Sequence, residues 1–429
     1  MEVFGLSAGL SLLATVLAAA VIACAIFWFF HSAPPQTLTL SAGPPGSGFY
    51  AMATNYQAIL KEQGVNLRIL ASEGSLENLQ RLLERPKTAE IGFVQSGLTN
   101  GSKSGRIVSL GSLSIQPMLV FYRADTPLQL LSQLKGKRLV IGPVGSGARS
   151  LALELLALNS ITNSGTASFV DLDGAAAASA LAKGEVDAIF LMGDSASTEV
   201  IRSLLRRKDI HLYDFVQADG YVRRINYLSK LEMPRGAIDF GNDIPDHDTA
   251  LVGPAVELLA RADLHPALSD LLLETAKKVN GKAGLLRRQD EFPAPIERDF
   301  PLSEDAERFY KSGKKFFYRY MPFWVASLVN RVVVVFVPAA LVLIPLFKML
   351  PSFFRWRTKV LILKWYRRLL TLEKELQGPD ARSQPEKFLA RLDEIENAVN
   401  KMKVPAFFAD QFYNLRGHIT FVRGNNPQK

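Results

Sequence analysis

The sequence predicts an α/β chain in two lobes, flanked by two transmembrane helices and followed by an α-helical cytoplasmic tail. Three observations carry this expectation. Short apolar runs alternate with helical patterns from Thr37 to Phe215. Two long stretches with almost no charge lie at Val3–Phe30 and at about Met321–Phe347. The positive charge is unevenly placed: 16 Lys+Arg and 8 Asp+Glu lie from Lys348 onward, which is nearly all of the net +9.

Composition bounds the classes. A length of 429 residues predicts two or three units, each able to bury its own core. A charged share of 21% with 26 Phe excludes a disordered chain. The one cysteine, Cys24, excludes a disulfide framework, an iron–sulfur centre and a zinc-thiolate site.

Val3–Phe30 is free of charge over 28 residues, longer as a helix than the ~30 Å hydrocarbon core. An uncleaved anchor is the expectation for residues 1–32. A cleaved signal peptide needs a basic start and a shorter apolar core. Val21-Ile22-Ala23-Cys24 also resembles a lipoprotein cleavage box, although the chain stays apolar through Phe30. Retention, lipidation at Cys24 and cleavage stay open. The second span, within residues 319–350, is densest at Val332–Phe347 and must recruit Phe323–Asn330 to cross the membrane. Arg331 then lies about a third of the way in, where it snorkels or faces a partner. Pro338 and Pro345 are tolerated in such a helix. Phe323-Trp324 on one side and Phe353-Phe354-Arg355-Trp356-Arg357 on the other read as an aromatic belt and a basic cluster.

That cluster places residues 351–429 in the cytoplasm by the positive-inside rule, with the main domain, residues 33–318, periplasmic at a bacterial inner membrane. The middle of the chain is nearly neutral, which excludes a nucleic-acid partner.

The outer domain reads as strands and helices in turn. Strands are expected at Thr37–Ala42, Val65–Ala71, Glu90–Gln95, Ile107–Leu113, Pro117–Tyr122, Arg138–Ile141, Ser168–Leu172, Asp187–Met192 and Ile210–Phe215. Helices are expected at Phe49–Lys61, Leu76–Glu84 with Ser75 as N-cap, Ala148–Leu158, Ala175–Lys183 and Ser197–Leu205. This alternation implies mostly parallel sheets with helices on both faces.

Two glycine loops, Gly43–Gly48 and Gly142–Gly147, each follow a strand and open a helix. Such junctions present unpaired amides at the carboxyl edge of a sheet and suit a carboxylate or phosphate. Tight turns also need glycine for their own sake. Catalysis has no comparable support. Neither loop carries the lysine of a phosphate-binding P-loop, and there is no Gly-x-Ser-x-Gly elbow. The five histidines are scattered, and Asp246-His247-Asp248 reads as a solvated turn. A protein that is not an enzyme, with no cofactor and no metal, is expected.

Three successive segments carry a family resemblance: Gly46-Ser47-Gly48-Phe49-Tyr50, Ala71-Ser72-Glu73-Gly74-Ser75-Leu76-Glu77-Asn78-Leu79, and Glu90-Ile91-Gly92-Phe93-Val94-Gln95. Together with Gly142–Ala148 and Gly184–Phe190, they resemble the solute receptors of TRAP transporters of the TAXI type, over about residues 37–310. The resemblance implies a two-lobed periplasmic-binding-protein fold of the second topological type. It implies closure over a small organic acid or amino acid, such as glutamate or a dicarboxylate, and TRAP-type permease subunits as partners. Carried over by position, the ligand loops fall on Ser47, Phe49, Tyr50, Glu77, Asn78, Gln95, Ser146 and Arg149. Loop amides and the hydroxyls of Ser47 or Ser146 would donate to the solute, Gln95 and Asn78 would orient it, Tyr50 would wall it, and Arg149 would pair with a carboxylate. This chain is similar to a branch of the family anchored at both ends. It departs from the common pattern at Pro44-Pro45 and Phe49.

In the tail, apolar residues recur at helical spacing in Ile362–Leu376, Phe388–Met402 and Phe408–Val422. Either these three amphipathic helices bury their seams against one another, or they dock a transporter subunit or signalling partner. Three functions are thereby set against one another: a solute receptor feeding a permease, a sensor signalling through the second span, and an envelope assembly protein that binds no solute.

Overall fold

The computed structural model describes residues 8–99, 105–162, 167–313, 318, 320–376, 385–402, 404 and 408–424. It divides into two compact units, Pro34–Val329 and the combination of Met1–Ala33 with Asn330–Lys429. In chain order the elements are α1 (Ala8–His31), β1 (Thr37–Ser41), α2 (Gly48–Glu62), β2 (Asn66–Leu70), α3 (Ser75–Leu83), β3 (Ile91–Gln95) and β4 (Ile107–Ile115). There follow β5 (Leu119–Tyr122), β6 (Arg138–Val140), α4 (Gly147–Leu158), β7 (Ser168–Val170), α5 (Gly174–Lys183), β8 (Ala188–Leu191) and α6 (Thr198–Leu205). Then come β9 (His211–Leu212), α7 (Ala218–Arg224), β10 (Leu228–Met233), β11 (Thr249–Arg261), α8 (Pro266–Asn280) and α9 (Glu304–Ser312). The last helices are α10 (Phe323–Leu376), α11 (Pro385–Asn400) and α12 (Ala409–Gly424).

Within Pro34–Val329 the strands form two sheets of matching design. In lobe 1 the order is β2-β1-β3-β11-β4, with β2, β1 and β3 parallel and β11 antiparallel to β3 and β4; the first part of β11 pairs antiparallel with β10, the sixth strand of this sheet. In lobe 2 it is β7-β6-β8-β5-β9, again three parallel strands with an antiparallel one, β5, inserted. The expected parallel pairing holds for three strands of each sheet. The inserted strand is antiparallel because it arrives from the other lobe. This is the two-sheet α/β architecture of the periplasmic-binding-protein type.

The hinge is where the two crossing segments touch. Leu251 and Val252 of β11 belong to the lobe 2 core, and Val256, Leu258 and Ala260 to the lobe 1 core. Beside β11, the Gln116 amide donates to the Pro254 carbonyl (3.0 Å) and the Met118 amide to the Val252 carbonyl (2.8 Å). A β-carbon at Gly253 would overlap the Gln116 carbonyl, so glycine permits the crossing.

Local sequence explains the helix starts. Ser47, Ser146, Asp173, Ser197 and Ser303 each accept an amide of the first turn. Ser75 differs from the expectation. Gly74 takes the cap position at φ +137°, a conformation that side-chain-bearing residues avoid, and Ser75 becomes the first helical residue. Inside lobe 1, Phe49, Ala53, Tyr56 and Leu60 line one face of α2 and pack on Phe93, with ring centroids 5.7 Å (Phe49) and 5.5 Å (Tyr56) away. The Tyr56 hydroxyl finds Asn280 Oδ1 at 2.9 Å.

Phe323 lies in the lobe 1 core with Trp324 against it, so this aromatic pair packs on protein where a lipid-boundary belt was expected. Among the described residues, one stretch, Phe323–Leu341, is long and apolar enough to cross a membrane (mean hydropathy 1.9); the described apolar part of α1, Ile22–His31, is too short alone. The start of the first expected span, residues 3–7, and the tail breaks expected at Gly378-Pro379 and Pro405 lie outside the described residues. In the other unit, Arg331 donates to the Phe29 carbonyl (3.3 Å) and sets its guanidinium 4.9 Å from the Phe29 ring. Ile362, Leu369, Leu372, Leu392, Ile395, Val399, Phe408, Leu415, Ile419 and Val422 form one core among α10, α11 and α12.

Candidate functional site

The carboxyl edges of the two parallel strand sets face each other, and both glycine loops lie there. The loop after β1 leads into α2, and the loop after β6 leads into α4. The turn after β8, Gly193-Asp194-Ser195-Ala196, meets them from lobe 2. Four first-turn amides of lobe 1 cross to lobe 2 carbonyls. Gly48 donates to Ala196 (3.2 Å), Phe49 to Gly193 (3.1 Å), and Leu76 and Glu77 both to Gly145 (3.1 Å each). The two lobes are therefore in direct contact through backbone.

One carboxylate sits at the centre. Asp194 is fully buried, and its Oδ2 accepts the Gly147 amide at 2.7 Å and the Ala148 amide at 3.4 Å, both at the start of α4. Ser195 Oγ donates to Oδ1 at 3.0 Å, and the Ser75 amide, at the start of α3, bonds to the carboxylate as well. Two helix N-termini, one from each lobe, thus converge on a single acid. Burial pushes its pKa up, and the donors from Gly147, Ser195, Ala148 and Ser75 oppose that push. A β-carbon at Gly74 would come 2.8 Å from Asp194 Oδ2, so the close approach requires glycine.

The residues expected from sequence lie around this point in unequal roles. Ser47 and Ser146 are buried N-caps, and the Ser146 hydroxyl also donates to the Pro143 carbonyl (2.8 Å). Gln95 is buried, reaches Gln116 Oε1 at 2.8 Å, and borders Gly147. Tyr50 is half-buried at the start of α2. Glu77 accepts the Glu73 amide (2.7 Å) and pairs with Arg81 (2.5 Å). Arg149 turns to the Gly142 carbonyl (3.0 Å) and Asp171 (2.5 Å). Phe49 is core, and Asn78 commits all its polar atoms within lobe 1. Its Oδ1 accepts Ser41 and Ser72 hydroxyls at 2.6 Å each, and its Nδ2 donates to the Ala42 carbonyl and to Phe93 O at 2.8 Å.

Sequence reasoning missed Asp194 and Gln116. The signal for Asp194 was present: Gly193-Asp194 ends a buried strand and leads to a helix, the same junction that marked the two glycine loops. His247, at 2.6 Å from Asp246, is exposed as the solvated-turn reading expects. No group of three or more potential metal ligands occurs among the described residues. A cavity of about 690 Å³, lined in part by Tyr122, Lys137, Asp187 and His211, lies at the opposite, amino edge of the lobe 2 strands.

Fold and site together define a two-lobed α/β protein of the periplasmic-binding-protein type. Residues 40–311 match the NMT1-like family, and the chain belongs to that family. No curated protein matches it. Similar solved structures include the periplasmic aliphatic sulphonate binding protein SsuA from Escherichia coli, at 14% identity over 58% of this chain and 73% of that one (TM-score 0.36). The alkanesulfonate-binding protein SsuA from Xanthomonas axonopodis pv. citri bound to MOPS matches at 15% over 58% and 74% (TM-score 0.38). An ancestral arginine-binding protein bound to arginine matches at 12% over 57% and 93% (TM-score 0.37).

Proposed function

We propose that the chain is a membrane-tethered extracytoplasmic solute receptor, of the TAXI type, that binds a small carboxylate-bearing solute between its lobes for TRAP-type transport. The observation that carries this reading is the convergence of the α3 and α4 N-termini on one carboxylate. Backbone donors from both lobes there suit an acid of glutamate or dicarboxylate size. With the lobes apart, Ser47, Tyr50, Gln95 and Ser146 would line the solute, Glu77 and Arg149 would flank it, and Phe49 and Asn78 would hold the loops behind them. A solute that contacts both lobes favours the closed form by its differential affinity. The anchors would be α1 and the apolar part of α10, with the three-helix bundle in the cytoplasm.

A second reading, an envelope assembly protein that binds no solute, is favoured by the interlobe backbone bonds, which join the lobes directly. Thermal unfolding of the full chain in detergent with a panel of amino and dicarboxylic acids decides between them. An acid at 100 times its dissociation constant should add ~2.7 kcal/mol, and no shift across the panel would favour the assembly role. Protease added to spheroplasts should digest Pro34–Val329 and spare the bundle; the reverse pattern would invert the topology.

A further inference from the structure

We propose that Asp194 is a built-in carboxylate occupying the interlobe acid position, so that a solute's carboxylate enters by displacing it. The inference deepens the receptor reading above and rests on it for the identity of the displacing ligand. It turns the site from an open receptacle into a self-occupied one.

Four features support it. First, Asp194 is held as a bound anion would be, by the Gly147 and Ala148 amides at 2.7 and 3.4 Å and by the start of α3 from the other lobe. Second, the glycines around it are placed to admit a carboxylate: Gly74 stands at φ +137°, where a β-carbon would come 2.8 Å from Asp194 Oδ2. Third, the Ser75 hydroxyl is fully buried and has no hydrogen-bond partner, and Ser75 Cβ faces Gly147 at the same point. Asp194 leaves that donor idle, and a larger acid reaching the same amides would use it. Fourth, the turn that carries Asp194 also supplies the Gly193 and Ala196 carbonyls to the α2 amides. Withdrawing the carboxylate therefore loosens two of the four backbone bonds that join the lobes, which makes the acid a latch as well as an occupant.

The consequence for binding is a reduced apparent affinity. The competent state is only the fraction of molecules from which Asp194 has withdrawn, and the apparent dissociation constant is the intrinsic one divided by that fraction. Specificity follows from the same competition. A neutral or cationic solute cannot replace a carboxylate at two helix N-termini, whereas another carboxylate can.

The test is chemical rescue in the full chain. Asp194→Ala removes the carboxylate and keeps the β-carbon, and sodium formate supplies a free carboxylate of matching size. The expected result is a lower Tm for Asp194→Ala that rises saturably by roughly 5 °C with formate. Chloride at equal ionic strength and formamide should not reproduce the rise, and wild type, whose own carboxylate must first be displaced, should need far more formate for the same rise. A variant indifferent to formate, or one that responds equally to chloride, overturns the proposal. Should Asp194→Ala fail to accumulate as folded protein, Asp194→Asn keeps the size without the charge. Amide exchange at Gly48 and Phe49, bonded to the Ala196 and Gly193 carbonyls of the Asp194 turn, must then be faster than in wild type, and equal exchange overturns the latch. Formate rescue without any wild-type response to the acid panel supports the latch and removes the receptor. A panel response without formate rescue keeps the receptor and removes the latch.

Discussion

Gly147 of lobe 2 faces Ser75 of lobe 1 at a spacing that leaves no room for a side chain: a β-carbon on Gly147 would lie 3.1 Å from Ser75 Cβ and overlap the Gln95 carboxamide. The sign of a substitution there follows from what can give way. Gln95 is buried and tied to Gln116 at 2.8 Å, and Ser75 is fixed in the first turn of α3. Gly147→Val should therefore hold the lobes apart while sparing both cores. The Leu76 and Glu77 amides would lose Gly145 and exchange with solvent about tenfold faster or more. Unchanged exchange at those two amides would show that the lobes close in some other way.

Asn78 makes a sharp test of roles at the same edge. All four of its hydrogen bonds stay inside lobe 1, joining β1, the loop after β2 and β3. Asn78→Ala takes one partner each from the Ser41 and Ser72 hydroxyls and the Ala42 and Phe93 carbonyls, while the Ser72 hydroxyl keeps its bond to the Ala42 carbonyl (2.6 Å). The expected cost is about 3 kcal/mol of stability, read by thermal unfolding of the full chain without solute. A variant as stable as wild type that binds acid poorly would return Asn78 to the solute.

Much of this was legible in the sequence because it depends on short-range chemistry. The strand and helix order up to Phe215 follows from apolar period and from Ser and Asp caps, and the element ends agree within a residue or two for most segments, such as α4 and α5. The junction Gly142–Gly147 was legible as an anion-suited turn because a strand, glycines and a helix start are adjacent in the chain. The junction at Asp194 was of the same kind, but its pairing with Gly74 and Ser75 was not legible, because they lie more than a hundred residues earlier and on the other lobe. The 13-residue β11 was not legible either. It runs through both cores, and its pairing with β3, β4 and β10 is set by tertiary contacts rather than by any turn. Ser75 was misplaced by one position because a serine before an apolar run reads as a cap, while the backbone angle at Gly74 decides the matter.

The three-helix core of the tail is small, so one cavity should be felt throughout it. Leu415 is fully buried between the seams of α10 and α11 partners such as Leu369 and Val399. Leu415→Ala should cost about 3 kcal/mol, a large share of what a bundle of this size can hold. The expected outcome is cleavage of α11 and α12 by trypsin under conditions in which the wild-type bundle survives. Survival of Pro34–Val329 in the same digest would show that the unit carrying the lobes does not depend on the bundle. A variant bundle as resistant as wild type would mean the seams are held by something other than one another.

Glu257 gives the chain a predictable response to pH. It lies on β11 at 1% exposure, and its Oε2 has no hydrogen-bond partner. Burial pushes its pKa up from 4.5 to about 7; the Ser109 hydroxyl, the Asp299 amide and the Arg298 charge act downward, and the Asp299 charge acts upward. The folded chain thus keeps a proton that the unfolded chain gives up near 4.5. Between that pH and about 7 the unfolded state binds fewer protons, so stability falls as pH rises and levels off above the folded value. A shift of this size corresponds to a fall on the order of 3 kcal/mol. Glu257→Gln removes the group that titrates and should flatten this part of the profile, making the variant the more stable protein at pH 8. Asp194, whose pKa burial also raises, contributes a fall of the same sign in both proteins, so the difference between the two profiles isolates Glu257. Thermal unfolding of wild type and variant at intervals from pH 4.5 to 8 measures it, and parallel profiles would mean that Glu257 is ionised in the folded chain.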